Sequence, residues 1–136
     1  MPPQRRIASH KSPYQPGPVG DATFSIAAES ANARVVTVTL KDYNGKGVSG
    51  MKAGRWYLAS DAAGTTVAAT APSAGVVSGA AGKVHADVAG KSGSFTTNSA
   101  GVCNFVVGDA GAYTGYLCVV LPDGSVKVSG AITLAA

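Results

Sequence analysis

Apolar and polar residues alternate along most of this chain, and the alternation has a period of two. In "ATFSIAAE" Phe24 and Ile26 fall on one side. "ARVVTVTLKD" sets Val36, Val38 and Leu40 against Thr37, Thr39 and Lys41, the signature of a half-buried strand. In "RWYLASD" Trp56 and Leu58 share one face, and Arg55, Tyr57 and Ala59 the other. "VCNFVVG" sets Cys103, Phe105 and Val107 against Val102, Asn104 and Val106. Further strands are expected near Val84–Val88, with Val84, Ala86 and Val88 on one face, and near Ser94–Thr97. The stretch 62–82 is rich in Ala and Gly, and reads as a loop with short strands around Val67 and Val76. No segment of helical length carries the helical period.

Turn chemistry separates these stretches. "YNGKGVSG" combines an Asn-Gly pair with three glycines. A turn at Asp109–Gly111 is expected to bring Cys103 near Leu117 or Cys118. Asp123-Gly124 predicts a hairpin with a type I′ turn, although Pro122 just before it acts on the turn type. Leu117, Val119 and Leu121 form one face of that hairpin, answered by Val126 and Val128. Short strands, turns every ten or so residues and one Trp on an early strand predict an all-β two-sheet sandwich of about seven to eight strands. The last strand is expected to close the sandwich.

The first twenty residues, "MPPQRRIASHKSPYQPGPVG", break this pattern. They hold five of the seven prolines, the cations Arg5, Arg6 and Lys11, and no acid. Proline fixes φ and removes a backbone donor, so an extended arm over 1–20 is predicted, joined to a sandwich over 21–136. Tyr14 sits among the prolines as an aromatic anchor. Of the net charge of +4, the arm carries three. The body is nearly neutral and shows no basic stripe, so direct nucleic-acid binding is not expected. No signal peptide and no apolar run of membrane length is read, so synthesis in a cytoplasm and no membrane partner are expected, with both thiols reduced.

Little in the chain points to chemistry. His10 and His85 are far apart and give no metal-ligand spacing. Cys103 shares the core face with Phe105, whereas Cys118 alternates to the outside of Leu117 and Val119, so a disulfide is not expected. There is no Gly-x-Ser-x-Gly elbow, and "GKG" and "GAAGK" fail the phosphate-loop spacing. Acids occur singly, mostly beside turn glycines. The expectation is a protein that is not an enzyme and needs no cofactor. One feature is less bland: Tyr116, Cys118 and Val120 make the supposed outer face of the last hairpin apolar. That face is either an interface or covered by the same chain.

In its C-terminal half, "TAPSAGVVSG", "TTNSAGVCNFVV" and "YLCVVLPDGSVKVSGAITLA" resemble a family of small immunoglobulin-like domains in the structural proteins of tailed bacteriophages. "VVTVTLKDYNGKGVSG" and "WYLASDAAG" resemble that family's first half, so the resemblance covers residues 22–136. It implies a virion role, foremost a capsid decoration or cement subunit. Arg5, Arg6, Lys11 and Tyr14 would then grip the major capsid protein or another virion protein, with Tyr116 and Val120 as further partner-binding candidates. Such subunits cluster as trimers or dimers. The alternatives are a tail, head–tail junction or fibre-anchoring protein, and a host-surface glycan-binding module using Tyr43 or Tyr113.

Overall fold

In a computed structural model, which describes residues 18–135, the chain folds into ten strands and no helix. Arg5, Arg6, Lys11 and Tyr14 lie outside the described residues. The strands are β1 (Val19–Ile26), β2 (Ala33–Asp42), β3 (Ala53–Ala59), β4 (Gly75–Ser78), β5 (Lys83–Val88), β6 (Ser92–Thr96), β7 (Val102–Gly108), β8 (Tyr113–Val120), β9 (Val126–Val128) and β10 (Ile132–Leu134). The first sheet has the order β1-β2-β7-β4. The second runs β10-β8-β3-β6-β5, with β9 beside β10 along the same edge of β8. All pairings are antiparallel.

The central strands follow the immunoglobulin-like plan: β2 lies beside β7 in one sheet, β3 beside β8 in the other, and the single Trp of the chain sits on β3. The alternation reads out as burial. Val36, Val38, Cys103, Phe105 and Val107 from the first sheet meet Leu58, Leu117, Val119 and Ile132 from the second, all fully buried. Phe105 packs edge-on against both Trp56 and Phe95. The Trp56 indole N–H donates to the backbone oxygens of both His85 and Ser94, 3.2 Å each, so the largest core residue carries no unmet donor. Its cross-strand partner is Gly93, where any Cβ would overlap the His85 carbonyl. Asp42, Thr97 and Ser129, the polar residues buried as a whole, are also satisfied. Thr97 Oγ1 accepts from Lys52 N, Ser129 Oγ accepts from Leu117 N, and Asp42 accepts from Asn44 N and Lys46 N.

A single turn grammar recurs. Gly45, Gly64, Gly75, Gly101 and Gly124 each donate N–H to the carbonyl three residues earlier, on Asp42, Asp61, Pro72, Asn98 and Leu121, and each has positive φ. Glycine alone adopts that φ without a Cβ penalty. At the last of these, Asp123 has negative φ, whereas a type I′ turn needs positive φ at both central residues. The observed turn runs from Leu121 to Gly124, with Pro122 in the first central position, where its fixed negative φ fits. The hairpin instead closes as a three-residue loop, with Leu121 N donating to Ser125 O. The positive-φ pair of a type I′ turn occurs elsewhere, at Ala31 (φ 52) and Asn32 (φ 63), between Ser30 and Ala33.

Several expectations are corrected. There are ten strands rather than seven or eight, because the hairpin after β8 continues into separate β9 and β10; the short strand expected around Val76 forms as β4. Around Val67 there is only an isolated bridge to Ala59. β7 and β8 do not form a hairpin: the chain crosses from one sheet to the other between them, so Cys103 and Cys118 are in different sheets. Val126 and Val128 pair with Val120 and Cys118, on the outer row rather than the Leu117–Val119 face. A register shift between Ala86 and Val88 turns Val88 outward. Finally, β1 begins at Val19, two residues before the expected start of the sandwich.

Candidate interaction surface

The predicted outer strip on β8 is only partly open. In register, Tyr116, Cys118 and Val120 face Ala59, Tyr57 and Arg55 of β3. Tyr116 and Val120 are half-buried, but Cys118 is fully buried. The cover comes from the turn at Asp61–Gly64, which folds back over this face. Tyr57 Oη donates to Gly64 O, and a Cβ at Gly64 would lie 2.8 Å from Val128 and 3.0 Å from the Cys118 sulfur. Burial pushes the Tyr57 phenol up to about 12 and raises the Cys118 thiol. The same chain therefore covers the middle of the strip, and both cysteines are free and buried.

The pairing registers sort the loops into two ends. One end, here the arm end, holds the start of β1, the β2–β3 connection, and the turns 98–101 and 121–125. The far end holds 27–32, 60–75, 89–91 and 108–112. The segment before Val19 joins the body at the arm end, and its junction is tied down by several contacts. Val19 is buried. The Tyr43 ring lies against Gly20 so closely that any Cβ there would overlap it. Tyr43 Oη donates to Asp123 Oδ2 at 2.7 Å, linking the β2–β3 connection to the 121–125 turn. Beside it, Lys127 Nζ stands 3.5 Å from Asp21 Oδ1.

Charge differs between the ends. Among the described residues, Lys41, Lys46, Lys52, Lys83 and Lys127 belong to the arm end, with Asp21, Asp42 and Asp123. Glu29, Asp61 and Asp109 belong to the far end, with Arg34 and Lys91, and Arg34 is spent on the carbonyls of Thr133 and Ala27. The near-neutral body thus has a basic pole where the cationic segment joins it, a distribution that the total charge conceals.

The remaining titratable groups serve the backbone. Asp61 accepts from Thr65 Oγ1 and from Thr65 and Thr66 N, and Asp109 from Gly111 and Ser73 N. These hydrogen bonds hold both carboxyls below the usual range. Ser125 and Tyr43 lower Asp123 to about 2. His85 lies beside Asp87, as the alternation predicts, in an exposed group that Arg55 completes by pairing with Asp87. Tyr113, a loop candidate on sequence, stands instead on β8 with its hydroxyl enclosed and without a partner, and burial raises its pKa. Among the described residues there is no group of three or more metal-ligating side chains, and no helix long and apolar enough to cross a membrane.

Sequence reasoning missed the junction. Tyr43 stood out only as a glycan candidate, and nothing local joins it to Asp123, which is eighty residues away. The available signal was an aromatic between an acid and an Asn-Gly turn, at the end of the most regular strand. The chain matches no protein-family model and no curated protein.

Proposed function

We propose that this protein is a structural component of a tailed-phage virion, foremost a capsid decoration subunit that holds the shell through its N-terminal segment. The observation that carries this reading is the junction. A Pro-rich stretch with Arg5, Arg6, Lys11 and Tyr14 joins the sandwich at Val19–Asp21, where Tyr43, Asp123 and Lys127 fix the root of the chain. A segment rooted in a rigid body passes its binding energy to that body. Proline-rich backbone also loses less conformational freedom on docking than an ordinary chain. The resemblance of residues 22–136 to phage immunoglobulin-like domains supplies the virion context. A tail or head–tail junction position uses the same body with a different partner. The glycan-binding alternative has less support, because Tyr113 is half-buried and, among the described residues, only Tyr43 offers an exposed ring at a loop.

Co-sedimentation with empty shells of the encoding phage tests the proposal. The full chain is expected to pellet with the shells in many copies, and a chain starting at Pro18 to stay in the supernatant. Full binding by the shortened chain would overturn the role of the segment. A handful of copies per particle would move the protein to the tail or portal.

A further inference from the structure

The connection between β2 and β3 runs across the whole arm end, from the first sheet to the second. It exposes the two most exposed large apolar side chains among the described residues, Tyr43 at 61% and Met51 at 69%. Such groups are usually turned inward, or sit singly where a loop is free to collapse onto them. This loop is held in place instead. Val48 is its buried peg, at 2% exposure. Asp42 N donates to Lys46 O, Val48 N to Leu40 O, and Gly50 N to Ser99 O. Tyr43 is fixed by Asp123 and Gly20. Met51 borders a depression of about 440 Å³ floored by Gly79, Gly82, Lys83, Thr97 and Asn98. Lys41, Lys46, Lys52 and Lys83 surround these two anchors.

We infer that Tyr43–Lys52 is a preformed docking epitope for an acidic protein surface, and that it engages the same partner as the N-terminal segment. Tyr and Met are enriched at the buried centres of protein interfaces, and rigid aromatic anchors lose little entropy on binding. Lysines around an apolar centre fit a partner whose rim is carboxylate-rich. The class of partner follows from the composition of the epitope. Its cations are all Lys, and it lacks the Arg that favours bidentate phosphate contacts. The epitope lies at the end of the body where the chain enters β1 at Val19, so one partner can meet both the epitope and the cationic segment. This inference rests on the virion reading above.

The test is shell binding by the full chain in three forms: unaltered, Tyr43→Ala with Met51→Ala, and Met51→Glu alone. Because Tyr43 also packs on Gly20, the Met51→Glu variant guards against a folding artefact. Met51 is exposed, and the new carboxylate would face acidic groups. Both variants are expected to bind at least about tenfold more weakly, with an unchanged thermal midpoint for Met51→Glu and, for that variant, a shallower fall of binding as salt is raised, because salt also screens the new repulsion. Unaltered binding by both variants, while removal of residues 1–17 abolishes it, overturns the epitope and leaves the virion reading standing. Absence of binding by the unaltered chain overturns both. The epitope also fails if the variants instead lose self-association in sedimentation velocity, or lose tighter binding to a DNA duplex.

Discussion

The ring of Phe105 stands edge-on to that of Trp56, centroids 6.1 Å apart, and so joins the middle strand of one sheet to that of the other. Phe95 packs on the other side at 5.4 Å. Replacing Phe105 with Ala removes the shared member of both pairs and leaves a cavity between well-ordered sheets. The expected loss is about 3–5 kcal/mol of folding stability, read as a shift of the urea midpoint followed by Trp56 fluorescence. A loss below about 1 kcal/mol would show that the core collapses around the gap.

Acid should loosen the turns before it reaches the core. Asp61, Asp109 and Asp123 all have folded pKa values below their unfolded ones, through hydrogen bonds that need the carboxylate. A depressed acid stabilises fully above its unfolded pKa, and that contribution is lost as pH falls through the folded value. Stability should therefore be flat above the ordinary carboxylate range and decline from there down towards about 2, the value of Asp123. Urea midpoints at a series of pH values check this. Asp123→Asn should flatten the lowest part of the decline and return the Tyr43 phenol, now raised chiefly by its bond to Asp123, towards its ordinary value.

Neither thiol should react while the protein is folded. Burial pushes Cys103 up to about 11 and raises Cys118, and the thiolate is the reactive form. A chromogenic disulfide should titrate two thiols in denaturant and essentially none in native buffer. Cys118 should be the first to label, because the turn at Asp61–Gly64 lies over it, and surface turns open more readily than sheet cores. Gly64→Ala, at φ +73 and crowding Val128 and Cys118, should speed that labelling. Equal protection of both thiols in this variant would count against the turn as the cover.

Ala31 holds a left-handed φ of 52 with no side-chain bond to offset it. Ala31→Gly should remove that strain and stabilise the fold by about 0.5–1 kcal/mol, despite the added freedom of the unfolded chain. A thermal midpoint that falls would refute the strain.

The strongly alternating strands were legible because each buries one face: the run Val36, Val38, Leu40 on β2 and the run Cys103, Phe105, Val107 on β7 appear in the structure as read. The turns were legible where a glycine follows an acid or Asn at fixed spacing. The Ala- and Gly-rich stretch 62–82 was legible only around Val76, where β4 forms. Elsewhere its side chains are too small to mark a face, so the cover that it supplies over Cys118 went unread. Partners across sheets were hidden for another reason. Nothing near Cys103 tells that the chain changes sheets before Cys118, and nothing near Asp123 tells that Tyr43 meets it. The candidate surface is made of just such distant meetings.

The course of β1 has a mechanical consequence. The chain enters it at the arm end, and β10 finishes at the far end, so tension between the N-terminal segment and the end of β10 runs lengthwise along β1. Seven residues of β1 pair with β2 across that line of force. Such a load must shear the paired residues together instead of peeling them one by one. The sandwich is therefore built to withstand a tug on its leading segment far better than one directed sideways at the same strand.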